Sequence, residues 1–456
     1  MKEQHFKNTL ISPLRLVWRI FSRAVTVLLL PVSGLVWMFR LVGHYPKFRI
    51  ADRVVLMTKP SGFAYSIHGP DVARRMASGE HVLFLIASWR YDFNPEVTKL
   101  WMDIKDIDVV FVPRFIFVRQ LSERGRIILP FLKPHDSMVQ RLTRWFVRLV
   151  GRGRTGFQSL TELCDEMVEA DTDLASSPDR KLWKGDYTNM MSYVSLLMRR
   201  PAPPLRLPID VRNDFECRFH EAWHASGYEG KPRLCCFYLR SRKPSAKASP
   251  LKNGGELCSV LPAIRLLNAA GYQVALTGDR EMTPEIRREF GGGLIDDVTI
   301  NSDRNIYQLY AASETDIFIG NNGGGLILST INKIPCLFLD WFPTSYGLSH
   351  SWFYFKSATY NDGSPVPYER FLGEHAFDIN CSFGTLSHIT EEEIAEAVES
   401  FLQDVKNIDA PDPHADVAAL IPEESIFRRS GSRISPAWVH RNVPEQGMPP
   451  RAGESR

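Results

Sequence analysis

The chain has 456 residues, 44% of them apolar and 23% charged, with a formal net charge of +3. That length holds two or three ordinary domains with sizeable cores, and the composition excludes wholesale disorder. The charge is too small to argue for nucleic acid as a partner, and seven scattered cysteines without a C-x-x-C pair read as reduced thiols of a cytosolic compartment.

Ala24–Phe39 is almost wholly apolar, with Arg15, Arg19 and Arg23 before it and Arg40, Lys47 and Arg49 after it. A spanning helix needs about 20 apolar residues, and Pro31 and Gly34 interrupt this run. Basic residues on both flanks give no direction across a bilayer. The reading is a helix or hairpin lying in the cytoplasmic leaflet of the inner membrane. A buried core helix with a basic rim is the alternative. A signal peptide fits less well, because Trp37-Met38-Phe39-Arg40 is a poor cleavage site.

Val54–Met57 reads as a first strand, followed by a loop rich in Gly and Pro from Lys59 to Asp71 and a short helix over Val72–Ala77. His81–Leu85 and Val109–Val112 read as further strands, and strands alternating with helices imply a parallel sheet. From Pro113 to Arg200 the pattern is mostly helical. Within it Arg141, Arg144, Arg148 and Arg152 share one helical stripe, and Leu142, Trp145, Phe146 and Leu149 another. Such a helix suits either an anionic lipid surface or an ordinary solvated face over a core. The prolines from Pro201 to Pro208 mark a linker. The expected division is therefore a membrane-association segment over 1–45, an N-terminal domain over 46–205, a second domain over 206–408 and a tail over 409–456. The stretch Asn442–Arg456 reads as disordered.

The second domain carries the strongest pattern. Strands are expected at Leu234–Leu239, Tyr272–Leu276, Val298–Ile300, Ile317–Ile319 and Cys336–Leu339. The helices between them are expected at Leu257–Ala269, from Thr283-Pro284 onward, Ile306–Ala312 and Leu326–Ile331. This is the β-α-β series of a doubly wound sheet. After the first four strands come Arg240-Ser241-Arg242, Thr277-Gly278-Asp279, Asn301-Ser302-Asp303 and Gly320-Asn321-Asn322-Gly323-Gly324-Gly325. In an open parallel sheet these clusters share the carboxyl edge, where ligands bind. Glycines opening a helix let backbone N–H groups approach an anion. Arg240 or Arg242 supplies a guanidinium and Asn321 and Asn322 supply amides, so a diphosphate is the ligand expected. The G-x-G-x-x-G dinucleotide fingerprint is absent.

The run Phe237-Tyr238-Leu239-Arg240-Ser241-Arg242, then Thr277-Gly278-Asp279, then Asp316 through Gly324 resembles the C-terminal domain of GT-B glycosyltransferases. The fucosyltransferase-like and heptosyltransferase-like branches are the most similar. The chain also resembles a family of largely uncharacterised bacterial glycosyltransferase-like proteins that end in a segment like Ser432–Trp438. The resemblance implies two Rossmann-like domains facing a cleft, with transfer from a nucleotide-sugar donor to a glycan or lipid-linked acceptor. It implies that Arg240 contacts the donor phosphate and that Gly323 and Gly324 line the donor site. Gly278, Asp279, Asn301, Asn321, Asn322 and Arg242 complete the expected donor set. Cys236-Phe237-Tyr238 stands where the related motif often has a histidine, so that histidine's role does not carry over.

Two motifs point elsewhere. His220-Glu221-Ala222-Trp223-His224 matches H-E-x-x-H, with Gly230 where a third histidine would close a zinc site. A catalytic zinc needs three protein ligands, so the expectation is an amphipathic helix with Phe219 and Trp223 inward. Asp106-Ile107-Asp108 and Asp171-Thr172-Asp173 match D-x-D but do not end an apolar strand. No metal or other cofactor is therefore expected. An inverting transfer needs a base for the acceptor hydroxyl; His68 and Asp71, with Asp92 as a third, are the candidates, and Asp71 equally suits a helix cap. A zinc metalloprotease and a non-catalytic nucleotide-sugar-binding protein are the rival readings.

Overall fold

The computed structural model describes residues 30–58, 63–77, 79–88, 94–113, 132–151, 155–170, 186–240, 256–278, 281–321 and 323–444. The chain divides into two compact units, Met1–Thr98 with Ile104–Cys164, and Lys99–Asp103 with Asp165–Arg456.

The first unit is built on four parallel strands, β1 (Arg53–Met57), β2 (Val82–Ser88), β3 (Ile107–Pro113) and β4 (Gly156–Ser159), in the order β3-β2-β1-β4. The strands read as continuous apolar runs because both faces are covered. Against one face, where Val54, Leu56, Leu83, Leu85, Val110 and Val112 point, pack helix α1 (residues 30–42) and helix α3 (Leu132–Val150). Trp37 and Leu41 of α1 are buried there, and Trp37 Nε1 donates to Thr143 Oγ1 at 3.0 Å. One face of residues 30–50, with Trp37, Leu41 and Phe48, is thus part of this unit's core, while Val32, Leu35, Phe39 and Val42 stay exposed, so the described part of the expected N-terminal segment is packed on this unit and not set apart from it; Ala24–Leu29 lies outside the described residues. Among the described residues no helix is long and apolar enough to cross a membrane.

Helix α2 (Phe63–Ala77) connects β1 to β2 and corrects the expected loop. His68-Gly69-Pro70-Asp71 lies inside this helix, although Pro70 brings no N–H to its ladder. The turn chemistry of Gly-Pro is overridden by burial: residues 66–75 are all buried, and a Cβ at Gly69 would meet Phe84 at 3.0 Å and Leu160 at 3.2 Å.

The second unit holds a seven-stranded parallel sheet ordered β13-β10-β9-β8-β5-β6-β7. Its strands are β5 (Arg233–Leu239), β6 (Tyr272–Gly278), β7 (Leu294–Ile295), β8 (Ile317–Gly320), β9 (Cys336–Trp341), β10 (Ser351–Phe355) and β13 (Arg433–Ile434). An antiparallel pair, β11 (Ser357–Tyr360) and β12 (Gly384–Ser387), stands outside it. Helix α4 (Ile209–Ala225) turns Phe215, Phe219 and Trp223 inward, with Phe215 stacked on Tyr310 at 4.7 Å. Helix α5 (Arg304–Ser313) starts at Asp303, whose side chain accepts from the N–H groups of Asn305 and Ile306. Helix α6 (Leu326–Ile331) follows β8.

Two expected elements differ. Val298–Ile300 is not a strand: Asp296 Oδ1 accepts from Thr299 N–H and Oγ1, and this turn ends the sheet's edge at Ile295. The stretch after Ile408 folds onto the sheet as far as the described residues run. Ile434 pairs with Phe353 in β10, and helix α8 (Pro436–Asn442) seats Trp438 edge-on to Phe355 at 5.5 Å. Helix α7 (Glu391–Asp404), opened by the Thr390–Glu393 capping box, covers the neighbouring face.

Candidate functional site

In the second sheet the chain runs from β5 outward through β6 and β7, then returns to the other side at β8. The reversal between β5 and β8 is a topological switch point, and the crevice beyond the carboxyl ends of these two strands is where such sheets take ligands. Tyr238 pairs with Gly320 across it, and Asn321 N–H donates to the Tyr238 carbonyl at 3.4 Å.

The glycines of this edge have a specific reason. A Cβ at Gly323 would lie 2.6 Å from Tyr238 Oη and 2.7 Å from its ring, one at Gly325 would overlap the same ring, and one at Gly320 would lie 2.7 Å from the Tyr238 carbonyl. The loop after β8 is therefore wrapped on the tyrosine, which the sequence alone did not single out. Gly278 has φ +99°, and a Cβ there would collide with the Leu239 carbonyl, so both conformation and close approach require glycine. Gly325→Ala is expected to cost about 1–3 kcal/mol through overpacking. In a double-mutant cycle by chemical unfolding, Tyr238→Ala should remove at least about 1 kcal/mol of that cost; strictly additive losses would show that the glycine does not make room for the ring.

Of the expected donor residues, Arg240, Gly278, Asn301, Asn321, Gly323 and Gly324 are described, and the structure brings all of these but Asn301 to the ends of β5, β6 and β8. Arg240, one residue past β5, is half-buried and has no ion pair among the described residues. Asn321 is 6% exposed, and its Oδ1 is buried with no hydrogen-bond partner among the described residues. Gly324 carries the carbonyl that closes the turn into α6, accepting from Ile327 N–H at 3.4 Å. Helix α6 has only six residues, so its dipole is a small contribution, and the weight shifts to the arginine. The carbonyl of Gly278 is taken by Arg304 at 2.6 Å and Gln308 at 3.2 Å. Asn301 is a correction. It follows the turn that replaces the expected strand, at φ 49°, and its carbonyl accepts from Arg218 of α4. Arg242, Asp279 and Asn322 lie outside the described residues.

A further cluster at the same sheet edge was not legible. Asp340, near the end of β9 with φ 58°, is buried and accepts from His388 Nδ1 at 2.6 Å and from Ile389 N–H at 3.3 Å. The buried Lys356 ammonium stands 3.5 Å from the same carboxylate. Asp340 and His388 are 48 residues apart, with Lys356 between them in the chain, so no local motif announces them.

In the first unit the switch point lies between β1 and β4, and α2 starts beyond the carboxyl end of β1. His68 is buried, and desolvation pushes its imidazole down to about 4, so it is neutral at neutral pH; the nearby Asp71 charge pulls the other way. Asp71 is fully buried, with Oδ1 taking Arg74 Nε at 2.6 Å and Oδ2 taking Arg75 Nε at 2.7 Å. It stands mid-helix and caps nothing. With both oxygens held by guanidinium groups and no exposed surface, Asp71 is set to anchor α2 and not to take a proton from an acceptor. Asp92 lies outside the described residues.

The H-E-x-x-H histidines stand 6.4 Å apart between ring centroids, and His224 Nδ1 is bound to the Tyr228 carbonyl at 3.1 Å. Phe219 and Trp223 are buried as expected. Among the described residues no three His, Cys, Asp or Glu side chains gather as a metal site. Asp108 of the first D-x-D pairs with Lys47 at 2.7 Å and His81 at 3.1 Å; Asp171-Thr172-Asp173 lies outside the described residues.

No protein-family model matches the chain, and no curated protein matches it. Solved structures do. One is a glycosyl transferase family 9 protein from Veillonella parvula, 12% identical, covering 78% of this chain and 98% of its own, with a TM-score of 0.42. A second is the E. coli ADP-heptose LPS heptosyltransferase II, 11% identical, covering 78% and 99%, with a TM-score of 0.40. A third is the iron-containing dodecameric glycosyltransferase TibC of enterotoxigenic E. coli, 12% identical, covering 79% and 78%, with a TM-score of 0.35. The doubly wound architecture of the second unit rests on its own strand order and register.

Proposed function

We propose that the chain is a glycosyltransferase. In this reading the second unit binds a nucleotide-sugar donor at the carboxyl ends of β5 and β8, and the first unit takes a glycan or lipid-linked acceptor. The observation that carries the reading is a half-buried arginine, Arg240, with no ion pair among the described residues, next to a glycine loop and a buried amide, Asn321, whose Oδ1 has no partner among them. That set suits a diphosphate: Arg240 offers a planar fork of donors to phosphate oxygens. Glycosyl transfer moves the sugar's anomeric carbon from a phosphate oxygen to an acceptor oxygen. The charge that develops on the leaving diphosphate is what a fixed cation stabilises, with no metal ion called for in the proposal. Turnover of a nucleotide sugar separates this enzyme from a protein that only binds one.

Calorimetry with nucleoside diphosphates in chelator-containing buffer tests the site. Arg240→Ala should weaken binding by about 1.5–3 kcal/mol, roughly 10- to 150-fold. Unchanged affinity in a folded variant, or wild-type protein that binds no nucleoside diphosphate, would remove the site and the reading together.

A further inference from the structure

Helix α1 presents two apolar faces. Ser33, Gly34, Trp37 and Leu41 are buried against the first unit. At about 100° per residue, Val32, Leu35, Phe39 and Val42 fall within about a quarter of the circumference on the opposite side. They are 49%, 61%, 70% and 55% exposed. Helix α3 buries Val139, Thr143, Phe146 and Val147, and leaves Trp145 54% and Leu149 64% exposed.

The two exposed rows border one seam. A Cβ at Gly34 would meet Leu142 at 3.1 Å and Met138 at 3.3 Å, so α1 lies along the Met138–Leu142 side of α3. Trp145 and Leu149 share that side, within about 60° of Met138 and Leu142 around the helix. Arg141, Arg144 and Arg148 fall beyond them and form the outer border. All three are exposed; Arg144 faces Glu162 at 3.4 Å, while Arg141 and Arg148 have no ion pair among the described residues. The acid of the two helices, Asp136, is buried.

An apolar floor of this extent is uncommon on a free surface, where exposed apolar residues are normally scattered singly. The rim decides the occupant. A row of cations in which, among the described residues, Arg144 alone meets an exposed acid, Glu162, beside an exposed tryptophan, is complementary to anionic headgroups over acyl chains. We infer that this face seats the first unit on a lipid surface carrying anionic headgroups, with Leu35, Phe39, Trp145 and Leu149 entering the interface and Arg141 and Arg148 on the headgroups. The inference stands apart from the transfer reaction, since none of these residues belongs to the second unit.

The test is flotation of the full chain with vesicles of phosphatidylcholine with and without phosphatidylglycerol. Wild-type protein should float with the anionic vesicles. Phe39→Glu with Trp145→Glu should lower binding at least about tenfold, with the far-UV spectrum and nucleotide affinity unchanged; Leu35→Asp with Leu149→Glu serves equally if the first pair does not fold. Arg141→Gln with Arg148→Gln should lower binding to anionic vesicles about 30-fold, near fivefold per cation, and leave binding to neutral vesicles unchanged. The inference is overturned by wild-type protein that floats with neither vesicle, by folded apolar variants that bind as wild type, or by a wild-type dimer that Phe39→Glu converts to monomer.

Discussion

Asp71→Ala is expected to destabilise the first unit by about 3–5 kcal/mol, because it leaves two buried guanidinium groups without their carboxylate. The Asp71 side chain is 0% exposed and those of Arg74 and Arg75 are 2% and 3% exposed, so solvent offers little compensation. Removing the whole cluster is a different matter. Asp71→Ala combined with Arg74→Met and Arg75→Leu takes the charges away together and should recover most of the loss, since apolar replacements of a buried ion pair are often neutral or better. Hydrogen exchange of the α2 amides measures both. A single substitution costing under about 1 kcal/mol would show that other groups hold the arginines and that Asp71 is dispensable.

His68 should make the same unit sensitive to acid. Its folded imidazole titrates near 4 against an ordinary 6.5, with burial as the main cause. Between those values the unfolded chain binds a proton that the folded chain does not, so stability falls as pH is lowered through that window. The contribution is fully present above 6.5, and about 3 kcal/mol of it is lost by pH 4. His68→Gln should flatten the stability profile of α2 between pH 6.5 and 4 by up to about 1.4 kcal/mol per pH unit. A variant whose acid slope equals the wild type's would mean that His68 is already protonated in the folded protein or is not the group responsible.

What the sequence revealed and what it hid divide along the range of the forces involved. The strands at Leu234–Leu239, Tyr272–Leu276, Ile317–Ile319 and Cys336–Leu339 are legible because each is an apolar run stopped by a polar or glycine cluster, and the structure extends them by a residue or two at the ends. The helix start at Thr283-Pro284 is equally local: Thr283 accepts from Ile286 N–H. The strand expected at Val298–Ile300 fails because a side chain two residues earlier, Asp296, competes for its backbone. Gly69-Pro70 misleads in the opposite sense, since packing against Phe84 and Leu160 holds a helix where the local signal says turn. Arg240 and Asn321 are placed by the strand pattern, whereas Tyr238, which explains three glycines up to 87 positions away, is visible only in the folded sheet. The Asp340–Lys356–His388 contacts likewise depend on three elements meeting at one edge.

Strand β13 has a consequence for how the second sheet is made. Its two residues, Arg433 and Ile434, lie alongside Trp352 and Phe353 of β10, whose other edge is already held by β9. During synthesis β10 leaves the ribosome about 80 residues ahead of its last neighbour. At 5–20 residues per second that interval lasts on the order of ten seconds. Throughout it, the outer side of β10 is an open strand edge, the kind of surface that templates pairing with another chain. Trp438, which later seats on Phe355, is not yet made. The nascent chain is thus at its most adhesive late in its own production, after most of the second sheet has formed and before the segment that closes it exists.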